Sequence, residues 1–247
     1  MDKQKLIYAG IGIVATFIFL VGAYYVTNTG APGQEDETGF VPVAAELTPE
    51  DHTKWASESA NLLVEYSDLQ CPACANFHTV LEGFSQDPTI TENITFVYRH
   101  FPLVSAHKNA QIAAYASEAA AQQGKFYEMI DILFVNQTEW ENANNPRDMF
   151  IGYAEEIGLD TAQFESDLGS DAVTQKVQQD QQSGLEATVS GTPTFFLNGQ
   201  RLNPATTDEF RQILIEAATT NPAAQQTEAT EESSVTTEES SVTEETQ

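Results

Sequence analysis

Cys71 and Cys74 are the only cysteines in 247 residues, and they stand two residues apart in Cys71-Pro72-Ala73-Cys74. That spacing suits a dithiol that opens and closes as a disulfide. Zinc wants four nitrogen or sulfur ligands, often as two paired knuckles. This chain has no second cysteine pair, and His52, His78, His100 and His107 do not supply the H-x3-5-H spacing of a zinc site. A structural cross-link is no better a reading, because a four-residue loop constrains an unfolded chain very little. Redox exchange remains, with no metal and no cofactor beyond the Cys71–Cys74 disulfide itself.

The chemistry needs the pair at the start of a helix, and the flanking residues supply one. The run Leu62–Tyr66 reads as a strand, and Phe77, Val80, Leu81 and Phe84 recur on one helical face over 71–84. Pro72 suits the first helical position, where its missing N–H costs nothing. Cys71 is then the N-cap, facing unpaired backbone N–H groups and the positive end of the helix dipole. Those groups stabilise a thiolate, so Cys71 is the expected nucleophile, exposed to clients, and Cys74 the buried resolving thiol.

The rest of the chain alternates helix and strand. Ile94–Tyr98 reads as a second strand, parallel to the first through a right-handed crossover. A long helical block follows at about 105–186, with a stop at Gly124, an Asn145-Pro146 opening and a close at Gly158. Thr194–Leu197 is a third strand. Asn198-Gly199 is a type I′ hairpin signal that turns the chain back into Gln200–Leu202. Thr206 and Glu209 form a capping box ahead of a last helix carrying Phe210, Ile213, Leu214 and Ala217.

Composition divides the chain into four parts. Leu6–Val26 is uncharged and follows Lys3 and Lys5, which reads residues 1–27 as a membrane anchor with a cytoplasmic N-terminus. A cleaved signal peptide is the alternative; either places the rest outside the cytoplasm, where disulfides persist. Residues 28–45 read as an acidic flexible linker, 46–221 as the folded domain, and 222–247 as a disordered tail of Glu, Ser, Thr and Gln. The net charge of −27 argues against binding to nucleic acid or anionic lipid.

The segments Glu65-Tyr66-Ser67-Asp68-Leu69-Gln70-Cys71-Pro72-Ala73-Cys74 and Gly191-Thr192-Pro193-Thr194-Phe195-Phe196-Leu197-Asn198-Gly199 resemble the DsbA-like thiol–disulfide oxidoreductases, the membrane-anchored branch most of all. Tyr98-Arg99-His100-Phe101-Pro102-Leu103 and Gly124-Lys125-Phe126 are similar to it as well. The resemblance covers about residues 46–219. It implies an α/β thioredoxin fold with an inserted helical domain, preceded here by one transmembrane helix. It also implies a cis Thr192–Pro193 bond beside Cys71, with Thr192, Pro193, Pro72 and Ala73 receiving a client peptide through main-chain hydrogen bonds.

Glu65 interrupts an apolar strand, and the resemblance gives it the place of a buried acid that relays the Cys74 proton; an edge position facing solvent is the plain alternative. Asp68 reads as a turn or cap residue. His78 reads as a surface histidine, and His100 and His107 as loop-side residues without a direct chemical role. The family implies thiol-containing client proteins and a quinone-linked membrane partner that reoxidises the pair. Its strongest oxidants carry His between the cysteines where this chain has Ala73, so a less oxidising disulfide is expected. The reading is an extracytoplasmic enzyme, single-pass in the cell membrane, that forms disulfides in secreted or surface proteins. The alternatives are a reductase or isomerase of the same fold, or a thioredoxin-fold binding or chaperone module.

Overall fold

A computed structural model of the protein describes residues 39–57 and 59–220. The anchor, most of the linker and the acidic tail read from the sequence lie outside the described residues. Among the described residues no helix is long and apolar enough to cross a membrane.

Two strands carry the architecture because every side chain in them is buried. β2 (Leu62–Ser67) and β3 (Thr95–His100) lie side by side in parallel, Glu65 opposite Tyr98 and Ser67 opposite His100. Three short strands complete the sheet: β1 (Thr53–Trp55), β4 (Thr194–Leu197) and β5 (Gln200–Leu202). The order is β1-β3-β2-β4-β5, with every pairing antiparallel except β2 with β3. The Asn198-Gly199 turn has the positive φ at both residues that type I′ requires, 51° and 79°.

Alternation along the strands divides the core in two. Leu62, Val64, Tyr66, Val97 and Phe196 face one side, where they pack on Val41, Phe101, Ala187 and Val189. Leu63, Phe96, Tyr98, Phe195 and Leu197 face the larger core with Cys74, Leu81 and Phe84 of α1 (Pro72–Phe84). By the period of two, Glu65 and Ser67 belong to the α1 side. A carboxylate is thereby placed under α1.

After α2 (Pro88–Thr91) and β3 comes the helical insertion: α3 (Ala110–Ala121), α4 (Phe126–Val135), α5 (Gln137–Trp140), α6 (Arg147–Glu156), α7 (Thr161–Asp167) and α8 (Asp171–Glu186). The chain closes with α9 (Thr207–Thr219). Thr206 accepts from the Glu209 backbone N–H at 3.1 Å, while the Glu209 carboxylate reaches Ala205 N, one residue before the cap. The N-cap before α6 is Pro146, one residue later than the sequence suggests.

Two features were not legible as elements. β1 is three residues long, and only its pairing with β3 reveals it. The segment expected to end the flexible linker is folded. Phe40 bridges Gln200, Val41 N donates to Gly199 O at 2.8 Å, and Val41 and Ala44 are buried. Few local signals mark these residues because their partner is a hairpin more than 150 positions away.

Candidate active site

The loop into α1 is held before any sulfur is considered. Asp68 is buried, and its carboxylate accepts from Gln70 N (2.8 Å), Leu103 N (2.8 Å) and the His107 Nδ1 (2.7 Å). It thus fastens the loop before α1 to the segment after β3, a larger task than a turn residue has. From the insertion, buried Gln137 donates its amide to Leu69 O (2.7 Å) and Cys71 O (3.1 Å). Gln70 accepts from Asn109 N and donates to Glu141 O, each at 2.7 Å. Sequence reasoning missed Gln137 and Asn109, since a lone amide at a helix start carries no motif. Buried carbonyls left without such donors cost about 1–3 kcal/mol each, so Gln137 fixes the carbonyls of the loop, while the Asn109 amide serves Trp140 O, Glu141 O and Ala143 O in the insertion.

Cys71 is the N-cap of α1, with Pro72 in the first turn. The pair is in the dithiol form. The Cys71 thiol donates to Thr192 O at 3.4 Å, and the Thr192–Pro193 bond is cis. Cys71, Cys74, Thr192 and Pro193 are thus brought together across the 119 residues that part Cys74 from Pro193. The expected exposure of Cys71 is corrected: it is 7% exposed and Cys74 0%. The carbonyl of Thr192 sits against the sulfur and takes the surface a free N-cap would show.

Even so, the two sulfurs differ sharply. A hydrogen bond from the Cys74 thiol, opposed by burial and helped by Thr192 and by the backbone N–H groups of Cys74 and Ala73, brings the Cys71 pKa down to about 5. The Thr192 hydroxyl is buried with no partner while Cys71 is a thiol, so a donor stands ready for the thiolate. Burial pushes Cys74 far up instead, and donation to the Cys71 sulfur and the nearby Glu65 carboxylate add to this.

Glu65 is 3% exposed, and its carboxylate accepts from Ser67 Oγ at 2.6 Å. Burial lifts its pKa to about 7 against that bond, and the charge of ionised Cys71 raises it further. Ser67 also acts on the ionisation of Cys74 and Tyr98. Tyr98, across the ladder, has a buried hydroxyl with no hydrogen-bond partner. The histidines divide otherwise than read. His100 is buried against Glu118 (3.1 Å), His107 is bound to Asp68, and His78 is half-buried beside Asp131 (3.3 Å).

Among the described residues, two groups bring metal-ligating atoms together: His78, Glu82 and Asp131, and His100, Glu118 and Asp180. Each already holds a protein cation. Lys54 lies 2.6 Å from Glu82, and Lys176 2.5 Å from Asp180.

Comparison with known proteins agrees with this geometry. A family model described as thioredoxin matches residues 48–216. Among solved structures, a thioredoxin-like oxidoreductase from Silicibacter pomeroyi is 25% identical, covers 69% of this chain and 93% of its own, and superposes with a TM-score of 0.57. BdbD from Bacillus subtilis is 18% identical, with 69% and 94% covered and a TM-score of 0.61. Wolbachia pipientis alpha-DsbA1 is 18% identical, with 70% and 92% covered and a TM-score of 0.60. A protein of Salinispora arenicola named as a Na(+)/H(+) antiporter is 37% identical over 164 residues, 66% of this chain but 24% of that one. The chain thus spans about a quarter of the length of that relative, and transport is not carried over from it. The chain belongs to the thioredoxin family and has the fold of the DsbA-like thiol–disulfide oxidoreductases.

Proposed function

We propose that this oxidoreductase forms disulfides in client proteins outside the cytoplasm. The observation that carries the reading is the pair of unlike thiols at the start of α1, Cys71 beside the Thr192 carbonyl and Cys74 sealed beneath. In the oxidised enzyme a client thiolate attacks the Cys71 sulfur. The Cys71–Cys74 bond breaks, and its electron pair stays on Cys74. That anion is disfavoured in its buried place, so it takes a proton from Glu65, which lies on the α1 side of the sheet with Ser67 Oγ donating to it at 2.6 Å. A second client thiolate then attacks the client sulfur of the mixed disulfide. Cys71 leaves as a thiolate that its surroundings already favour.

A stabilised Cys71 thiolate favours the reduced enzyme and so an oxidising disulfide. A pKa of about 5 lies between the roughly 7 of thioredoxin and 3.5 of DsbA, which agrees with Ala73 where the strongest oxidants have His. Client recognition falls to the Thr192-Pro193 loop with Pro72 and Ala73, through main-chain bonds that leave client sequence open. The apolar run Leu6–Val26 supports a membrane anchor with the domain outside the cytoplasm, where a quinone-linked membrane protein reoxidises the pair.

Substitution separates the sulfurs. Cys74→Ser should accumulate client-linked mixed disulfides on non-reducing gels, and Cys71→Ser should form none. Equal trapping by both variants would refute the assignment. In-cell alkylation should find the wild-type pair oxidised; a pair kept reduced indicates the reductase or isomerase direction.

A further inference from the structure

Cys74, His78 and Glu82 follow at four-residue steps along α1, so they share one face of that helix. Beneath it lies a small cavity lined by Glu65, Tyr98, Tyr127, His78, Glu82 and Lys54 among others. About 10 Å³ of it is open to the centre of a water molecule, which is room for one. Polar partners are at hand: the Glu65 carboxyl, and the hydroxyl of Tyr98, 2% exposed and unpaired. A buried hydroxyl without a partner is rare, and an ordered water is its usual satisfaction.

His78 stands at the outer side of this cavity. Its side chain is 15% exposed, its Nε2 lies 3.3 Å from Asp131 Oδ1, and its ring stacks on Phe134 with centroids 4.8 Å apart. The ring is thus held in one orientation between the cavity and solvent. Imidazole both gives and takes a proton near neutral pH. The other polar groups of the lining are already engaged: Lys54 pairs with Glu82 at 2.6 Å, Trp55 Nε1 donates to Ser85 Oγ at 3.0 Å, and the Tyr127 hydroxyl donates to His52 O at 2.7 Å.

We propose that His78 is the outlet of the proton path that serves Cys74, exchanging protons between solvent and Glu65 through a single water held in the cavity beside Tyr98. The proposal rests on Glu65 acting as the relay. When client attack breaks the Cys71–Cys74 bond, Cys74 takes the Glu65 proton. The Glu65 carboxylate regains one from the cavity water, the water from the His78 imidazolium, and the imidazole from solvent. One proton enters the protein for each Cys74 thiol formed, and no redox partner beyond the client is needed. The ionisable groups around this path are Asp131 and Tyr127 on α4, Glu82 and Cys74 on α1, Lys54 on β1, Glu65 on β2 and Tyr98 on β3. His78 touches no sulfur in this scheme, so it is a positioning and proton-conducting residue.

The test follows single-turnover oxidation of a dithiol peptide by the full chain from pH 5.5 to 8.5, for wild type, His78→Phe, His78→Gln and Glu65→Gln. Thermal melting checks each fold, and His78→Phe keeps the stack on Phe134. Both His78 variants should slow about tenfold above pH 7, where protons are scarce, and approach wild type near pH 5.5. In His78→Ala, added imidazole should restore the rate while leaving wild type unchanged. His78 variants with the wild-type rate and pH profile, beside a slowed Glu65→Gln, overturn the outlet and leave the relay standing. If Glu65→Gln is also unaffected, relay and outlet fall together.

Discussion

Two buried carboxylates in this protein have opposite fates. Glu65 on β2 and Glu118 on α3 are about equally sealed, 3% and 2% exposed. Glu65 has a neutral hydroxyl as its partner, and burial carries its pKa to about 7. For Glu118 burial also pushes upward. Its two oxygens, however, receive the rings of His100 (3.1 Å) and His52 (3.0 Å), which hold its pKa at about 2. Burial therefore sets the stakes, and the partners decide the outcome. A carboxyl poised near neutral pH under the cysteines can move a proton. A carboxylate fixed as an anion between the sheet and the insertion can only hold structure.

The comparison breaks most readily at Glu118. Glu118→Ala takes the carboxylate acceptor from the buried His100 ring and from the partly exposed His52 ring. Unfolding in urea should lose about 3 kcal/mol, with the exchange chemistry of the folded fraction intact. A loss below 0.5 kcal/mol would mean that the histidines find other partners.

The pH dependence of stability should show both acids with opposite signs. The folded-state pKa of Glu65 stands above its ordinary 4.5, so its contribution is fully present below pH 4.5 and is lost as pH rises through about 7. That loss is about 3 kcal/mol by linkage. The folded-state pKa of Glu118 stands below 4.5, so its contribution is present above pH 4.5 and is lost as pH falls through about 2, by a similar ~3 kcal/mol. Urea titrations from pH 2 to 8 should lose the neutral limb in Glu65→Gln and the acid limb in Glu118→Gln. Unaltered limbs in both variants would dissolve the contrast.

The smallest effect is on the redox couple. Glutathione equilibria should place the wild type within about −120 to −270 mV. Ionised Glu65 opposes the Cys71 thiolate, so Glu65→Gln should raise the potential by roughly 10–30 mV, while Glu118→Gln leaves it unmoved. An equal shift in both would show that the potential follows overall charge rather than the charge beside the sulfurs.

Much of this was legible along the chain because its causes are local. The CxxC spacing, Pro72 at the first helical turn and the apolar stripe from Phe77 to Phe84 place a reactive thiol at a helix start whatever lies around it. The Asn198-Gly199 turn and the Thr206 cap are equally local, and the structure holds both. Tertiary structure decided everything that depends on which side chains meet. Glu65 could have faced solvent; strand alternation within a sheet covered on both sides sent it under α1. Cys71 could have been open; the Thr192 carbonyl covers it from the other end of the domain. Gln137 and Asn109 had no sequence signal, since an amide becomes informative only when a carbonyl needs it. A residue's type limits what it can do, and its partners, brought from far along the chain, determine which of those things it does.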